Sequence, residues 1–238
     1  MTERSSFSHA PARFATLSSR NKLSLQKLEK YMRISQIVLA IFLVAGSWSN
    51  VTLAGGGPLG IDSKLTYDNE GIWKRGNQKA LMGVLIGGEI LGALWEGSDT
   101  PLGKTLYQSI DASIIGGVSS AVLKQTFRRA RPSQTDNPND FFKRGGQSFP
   151  SGEVTLAAAV VTPFVLQYGH DQPAVYALEL IPLYDAVARM KVHGHWQTDV
   201  LAGWALGTAA GYYAHSRNES FSVAVLPRGI TVGWKTQF

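Results

Sequence analysis

At 238 residues without a cysteine, the chain suits one domain, with at most an extension, and offers neither a disulfide framework nor thiolate chemistry. Its net charge of +6 suggests a phosphate polymer as partner until the charge is located. Residues 1–33 hold seven basic and two acidic side chains, leaving the rest with 16 basic and 15 acidic groups, so nucleic-acid binding is excluded for want of a basic stripe.

The basic stretch ends at Arg33. An apolar run follows from Ile34 to Ala45, and small residues come next at Gly46, Ser47, Ala54 and Gly55 to Gly57. Positive flank, apolar core and small-residue cleavage region are the order of a secretory signal. The core, about 12 residues, is short of the roughly 20 that span a bilayer. Residues 1–54 are therefore expected to be a leader, cleaved after Ser47 or Ala54, with initiation at Met32. An uncleaved anchor continuing through Val51 to Ala54 is the alternative. Both give a periplasmic or cell-envelope location, and residues 55–238 are expected to form a single domain.

The body reads as helix. Asn77 to Trp95 is apolar at helical spacing, and Gly83, Gly87, Gly88 and Gly92 suggest close helix packing. Ser98 to Thr100 breaks the chain, and Pro101 suits the first turn of a helix over about Leu102 to Arg129. Residues 133–148 are loop by composition. Pro150 opens a helix to about Leu166, Pro173 one to Met190, and Asp199 one to about Ser216. Polar groups such as Glu89, Asp111, Glu179 and Asp185, with a mean hydropathy of −0.04, favour an all-α globular bundle over a polytopic membrane protein. At the end, Phe221, Val223 and Val225, then Ile230, Val232 and Trp234, alternate around Pro227-Arg228-Gly229, which predicts a short β-hairpin strapped over the bundle.

Three blocks carry chemistry. Lys124 and Arg131 lie seven residues apart, two helical turns, which predicts that they share one helix face. A guanidinium binds two phosphate oxygens at once and a lysine adds a point charge. Pro150-Ser151-Gly152-Glu153 opens a helix whose free amides suit an anion. There Gly152 permits close backbone approach, Ser151 adds a hydroxyl, and Glu153 complements the helix dipole. Arg189 then precedes His195 and Asp199, whose four-residue spacing lets a carboxylate hold one ring nitrogen if the segment is helical. His193 has no carboxylate four residues on.

The blocks Lys124-x6-Arg131-Pro132, Pro150-Ser151-Gly152 and Arg189-x5-His195-x3-Asp199 resemble the type 2 phosphatidic-acid phosphatase superfamily, which includes bacterial acid phosphatases and vanadium haloperoxidases. Two positions depart from that pattern: Glu153 stands in place of histidine and Ala188 in place of serine. The resemblance implies the superfamily's helical bundle. It also implies a nucleophilic His195 oriented by Asp199, with Lys124, Arg131, Arg189, Ser151 and Gly152 holding phosphate, and no metal or cofactor.

Glu153 falls where the superfamily keeps its general acid. Three roles stay open for it: acid at low pH, base for an acceptor, or a residue that lowers turnover. The expected function is an exported phosphatase or phosphotransferase for a lipid phosphate or small phosphoester, with contact to a membrane surface and oligomeric state left open. A vanadium haloperoxidase and a catalytically weak phosphate- or lipid-binding protein are the alternatives.

Overall fold

The computed structural model describes residues 55–217 and the backbone of two further segments, 222–226 and 229–233. The expected leader and both of its cleavage points lie outside the described residues. The described elements fall within one compact unit, Val44–Phe238.

An antiparallel bridge between Gly56 and Asp62 closes the first loop, and a 3₁₀ turn at Gly71–Trp73 leads into α1, Arg75–Glu96. There follow α2 (Pro101–Phe127), α3 (Gly152–Tyr168), a 3₁₀ segment Pro173–Glu179, α4 (Leu180–Lys191) and α5 (Gln197–Ser216). The expected helix from Pro173 to Met190 is thus two pieces, the first wound more tightly. The start of α2 follows its sequence signals: the Thr100 side chain accepts the Gly103 N–H at 2.9 Å, and Pro101 occupies the first turn. Past α5, Ser222–Leu226 pairs antiparallel with Gly229–Gly233, placing Val223 opposite Val232 and Val225 opposite Ile230.

The bundle centres on α3, whose Val154, Thr155, Ala157, Ala158 and Ala159 are fully buried. It is covered by α2 and α5, and small side chains let the three axes approach. Ala112 of α2, Ala159 of α3 and Ala210 and Ala214 of α5 form one buried cluster. The closest approach is at Gly207 of α5, where a Cβ would lie 2.1 Å from the Thr155 carbonyl and 2.8 Å from Ala158 Cβ. Gly203, one turn earlier, lies similarly against the Ser151 carbonyl. This contact fixes the start of α5 beside the start of α3, and those two ends carry the second and third blocks. Gly207→Ala forces a backbone shift, so thermal unfolding is expected to show a loss of about 1–3 kcal/mol; an unchanged midpoint would mean the helices do not meet this closely.

Close packing was expected at the glycines of α1 instead. Gly83, Gly87 and Gly88 face open space, and only Gly92 meets a neighbour, the Leu106 side chain at 3.2 Å. The inward stripe of α1 is Gln78, Met82, Glu89 and Ala93, which turns those three glycines outward. Glu89 is satisfied by the Ser109 and Ser113 hydroxyls, and burial raises its pKa despite them. The outward side of α1 and α2 is strongly apolar, with Val84, Leu91, Leu94, Trp95, Ile114, Val118 and Val122 all exposed. No described helix is long and apolar enough to cross a membrane.

Candidate active site

The third block spans a turn between two helices. Arg189 sits in the last turn of α4, and Gly194 N–H returns to its carbonyl at 2.9 Å. A side chain at 194 would strike the Arg189 guanidinium, since a Cβ there lies 2.5 Å from Nη2. His195 follows in the connection before α5, and Asp199 occupies the third position of that helix. The two do not share a helix as the spacing suggested. The consequence is a different support for the ring: Nδ1 of His195 donates to the Ser148 carbonyl at 2.7 Å, whereas Asp199 Oδ2 is 3.7 Å away. Because a carbonyl only accepts, the proton is on Nδ1 and Nε2 carries a free lone pair. Ser148 also donates its hydroxyl to Asp199 Oδ2, which accepts the Trp196 N–H at 2.9 Å as well.

His195 is 4% exposed, and burial drives its pKa down to about 4. The Asp199 carboxylate opposes the shift, and the charges of Arg189 and Lys124 add to it. Burial works against ionisation of Asp199 too, but its contacts with His195, Arg129 and Ser148 prevail and its pKa is lowered. Arg129, fully buried, is the hub behind this pair. It donates to Asp199 Oδ1 and Thr198 Oγ1 at 2.6 and 2.7 Å, and to Asp62 Oδ2 and the Pro138 carbonyl, each at 2.6 Å. The same Asp62 accepts the Thr198 N–H at 2.8 Å, which ties the first loop to the start of α5.

The cationic residues come from separate elements. Lys124 lies in the last turn of α2, but the helix ends at Phe127 with Arg128 in the left-handed region (φ 40°, ψ 48°). Arg131 is therefore in the following loop and does not share a helix face with Lys124, contrary to the two-turn spacing. They still meet: the Arg131 charge, after burial, is the next largest cause of a Lys124 pKa lowered to about 8. Arg189 likewise feels Arg131, and His195 feels Arg189 and Lys124. Lys124 Nζ donates to the carbonyls of Gln147 and Pro150. The Arg131 guanidinium makes no hydrogen bond with any described residue.

The start of α3 completes the cradle. Its first intrahelical bond is Thr155 N–H to the Ser151 carbonyl at 3.0 Å, so the amides of Gly152, Glu153 and Val154 lie ahead of it. A Cβ on Gly152 would stand 3.4 Å from both Lys124 Cε and Ser120 Oγ. Ser151 Oγ does not cap the helix. Three buried donors in this region, Ser120 Oγ, Ser151 Oγ and Arg189 Nε, have no hydrogen-bond partner among the described residues. Buried polar groups are nearly always satisfied. Orphaned donors among convergent cations are what an anion site needs.

Glu153 is held by a residue that sequence reasoning did not single out. Arg75, the first residue of α1, forms a two-point ion pair with both carboxylate oxygens of Glu153, and Arg189 Nε lies 3.8 Å from Oε2. Burial favours protonation of Glu153, but the Arg75 hydrogen bonds and the Arg189 and Arg75 charges outweigh it, so the pKa falls below the usual value. Gln78 Oε1 accepts from Arg75 at 2.9 Å and from Arg189 at 3.2 Å. Beside them Asp185 is fully buried with both oxygens unpartnered. Burial, then the Glu153 charge, raises its pKa to about 7.

Ser120, Ser148 and Arg129 were also missed as site residues. Only Ser120 left a usable signal, one turn before Lys124 on the same helix. His193 is turned away, with Nε2 2.7 Å from the Leu65 carbonyl and its ring against Tyr67. Ala188 is fully buried.

This is an all-α bundle that gathers basic side chains, a helix start and a neutral imidazole in one place. Residues 110–220 match the model of the PAP2 superfamily. It is 30% identical over 119 residues to the lipid A 1-phosphatase of Porphyromonas gingivalis, a match covering 49% of this chain and 24% of that protein. The chain thus spans about a quarter of that relative's length. A crystal structure of Aquifex aeolicus LpxE is similar at 21% identity with a TM-score of 0.47, covering 59% of this chain and 84% of that one.

Proposed function

We propose that the protein is a cell-envelope phosphatase that removes phosphate from a lipid through a phosphohistidine on His195. One observation carries this reading: His195 keeps an unprotonated Nε2 within the influence of the Arg189 and Lys124 charges, and Ser120 Oγ, Ser151 Oγ and Arg189 Nε are buried without a hydrogen-bond partner among the described residues. Attack by Nε2 on phosphorus places negative charge on three equatorial oxygens. Arg189, Lys124, Arg131 and the α3 amides stabilise that charge as preorganised donors, each worth about 3–4 kcal/mol in comparable sites. Asp199 balances the imidazolium that develops, and Ser148 keeps the ring oriented.

Two observations favour a lipid over a soluble phosphoester. The relative of known activity is a lipid A phosphatase, and the exposed apolar side of α1 and α2 is suited to contact with a membrane surface. The weak-binding alternative draws on Glu153, whose clamped carboxylate has no proton to donate. Trapping separates the two. Turnover of a ³²P-labelled phospholipid is quenched in alkali, where phosphohistidine survives, and the label is mapped. Label on the His195 peptide, lost in acid, is the expected result. Turnover without label overturns the histidine route, and no turnover of any phosphoester overturns the enzyme.

A further inference from the structure

Asp185 takes no part in the attack on phosphorus, yet it sits among the groups that surround the cradle. It lies in α4 one turn before Arg189, fully buried, and neither of its carboxylate oxygens has a hydrogen-bond partner among the described residues. The neighbouring donors are committed elsewhere. Arg75 serves Glu153 and Gln78, Arg189 donates to Gln78 Oε1, and the Gln78 amide donates to the carbonyls of Trp73 and Ala188. Arg189 Nε, on the next turn of the same helix, is buried and also unpartnered. A carboxylate taken out of water without a partner is costly in its charged form and tends to bind a proton instead. The charged groups acting on Asp185 are Glu153 of α3, Arg75 of α1 and Arg189 of its own helix. Burial and the Glu153 charge outweigh the two arginines and raise its pKa to about 7, so the proton is exchangeable near neutrality.

Building on the reading of the cradle as a phosphate site, we infer that Asp185 is a positioning residue that takes up a proton as a phosphate dianion enters, leaving the positive charge of Arg189 to the anion. With Asp185 ionised, the two carboxylates of this cluster, Glu153 and Asp185, offset its two arginines, Arg75 and Arg189. With Asp185 neutral, the cluster keeps one net positive charge beside the cradle. An incoming dianion therefore selects the neutral form, and anion binding and proton uptake are linked. The proton comes from solvent, resides on the carboxyl group while the anion stays, and returns to solvent when the anion leaves. In turnover this group adds a decline that begins near pH 7, ahead of the fall that Lys124 gives near pH 8.

The test uses tungstate, a tetrahedral oxyanion that stays doubly charged between pH 6 and 8, so that only the protein titrates. Calorimetry at pH 7 in two buffers of different ionisation heat counts the protons taken up on binding. The wild type is expected to gain about half a proton through Asp185, since about half of the molecules already carry it. Asp185→Asn fixes the neutral state at nearly constant shape and should lose that uptake. The variant should match the wild type at pH 6 and bind about 10-fold more tightly at pH 8, where only about a tenth of wild-type molecules are in the competent form. The Lys124 charge is common to both proteins and cancels in this comparison. His195→Ala should retain the uptake, which carries the test if Asp185→Asn does not fold. Three results overturn the inference and leave the phosphate cradle standing: tungstate bound without proton uptake, uptake that His195→Ala abolishes, or a folded Asp185→Asn that keeps the uptake or binds no more tightly than the wild type at pH 8. A wild type that does not bind tungstate sinks the cradle, and the inference with it.

Discussion

Replacing His195 by alanine is expected to lower kcat by about 10⁴-fold or more, because loss of a nucleophile leaves only the catalysis that binding and the oxyanion donors supply. The fold should survive. Among the described residues the imidazole makes one hydrogen bond, to the Ser148 carbonyl, and leaving that acceptor unpaired costs about 1–3 kcal/mol. Measured kcat, with far-ultraviolet circular dichroism as the control for folding, decides the matter; a kcat within tenfold of wild type would remove His195 from the chemistry.

The wild-type pH profile tests the same group independently. With its pKa pushed down to about 4, the ring is neutral at every pH above that value. Once substrate titration is removed, kcat/KM should hold to near pH 4 on the acid side and not fall near 6.5. On the alkaline side it should fall near pH 8, where Lys124 loses its charge and grips phosphate less well. Linkage fixes the sign for stability. The unfolded state takes up the histidine proton before the folded one does, so the contribution of this group is intact above pH 6.5 and is lost as pH falls toward 4.

Arg129→Met is expected to be the most damaging substitution for stability, by about 3–5 kcal/mol, the usual cost of removing one partner from a buried ionic cluster. Two fully buried carboxylates, Asp62 and Asp199, would remain without their cation. The side chain also lies 4.9 Å from the Phe141 ring centroid and 5.6 Å from that of Trp196. Arg129→Lys should recover little, because a single ammonium cannot reproduce a fork that serves Asp62, Thr198 and Asp199 together. Urea unfolding measures the loss. A change below 1 kcal/mol would show that the hub does not join the first loop to α5.

The helices were largely legible because Pro101, Pro150 and the apolar periodicity mark starts and faces directly. The phosphate-handling residue types were legible for a similar reason, since few side chains suit that chemistry. Geometry between elements was not. The seven-residue step from Lys124 to Arg131 suggested a shared helix face, yet Arg128 adopts the left-handed region, which nothing about an arginine announces. His195 and Asp199 stand four apart, but the helix begins only at Gln197, so the spacing carried a false implication about what holds the ring. Arg75 was invisible for a different reason: it reaches Glu153 across 78 positions, a partnership created only by the packing of α1 against α3. The α1 glycines misled because close approach depends on which side of a helix faces a neighbour, and that face belongs to Gln78 and Glu89.

The attachment of the imidazole to a peptide oxygen has a consequence for tolerance to acidity. An amide carbonyl has no titration in the biological range, so the tautomer that leaves Nε2 unprotonated is preserved whether or not the neighbouring carboxylate is ionised. Orientation and charge compensation, usually combined in a single acidic side chain, are here divided between Ser148 and Asp199. The protein can therefore lose the second without losing the first.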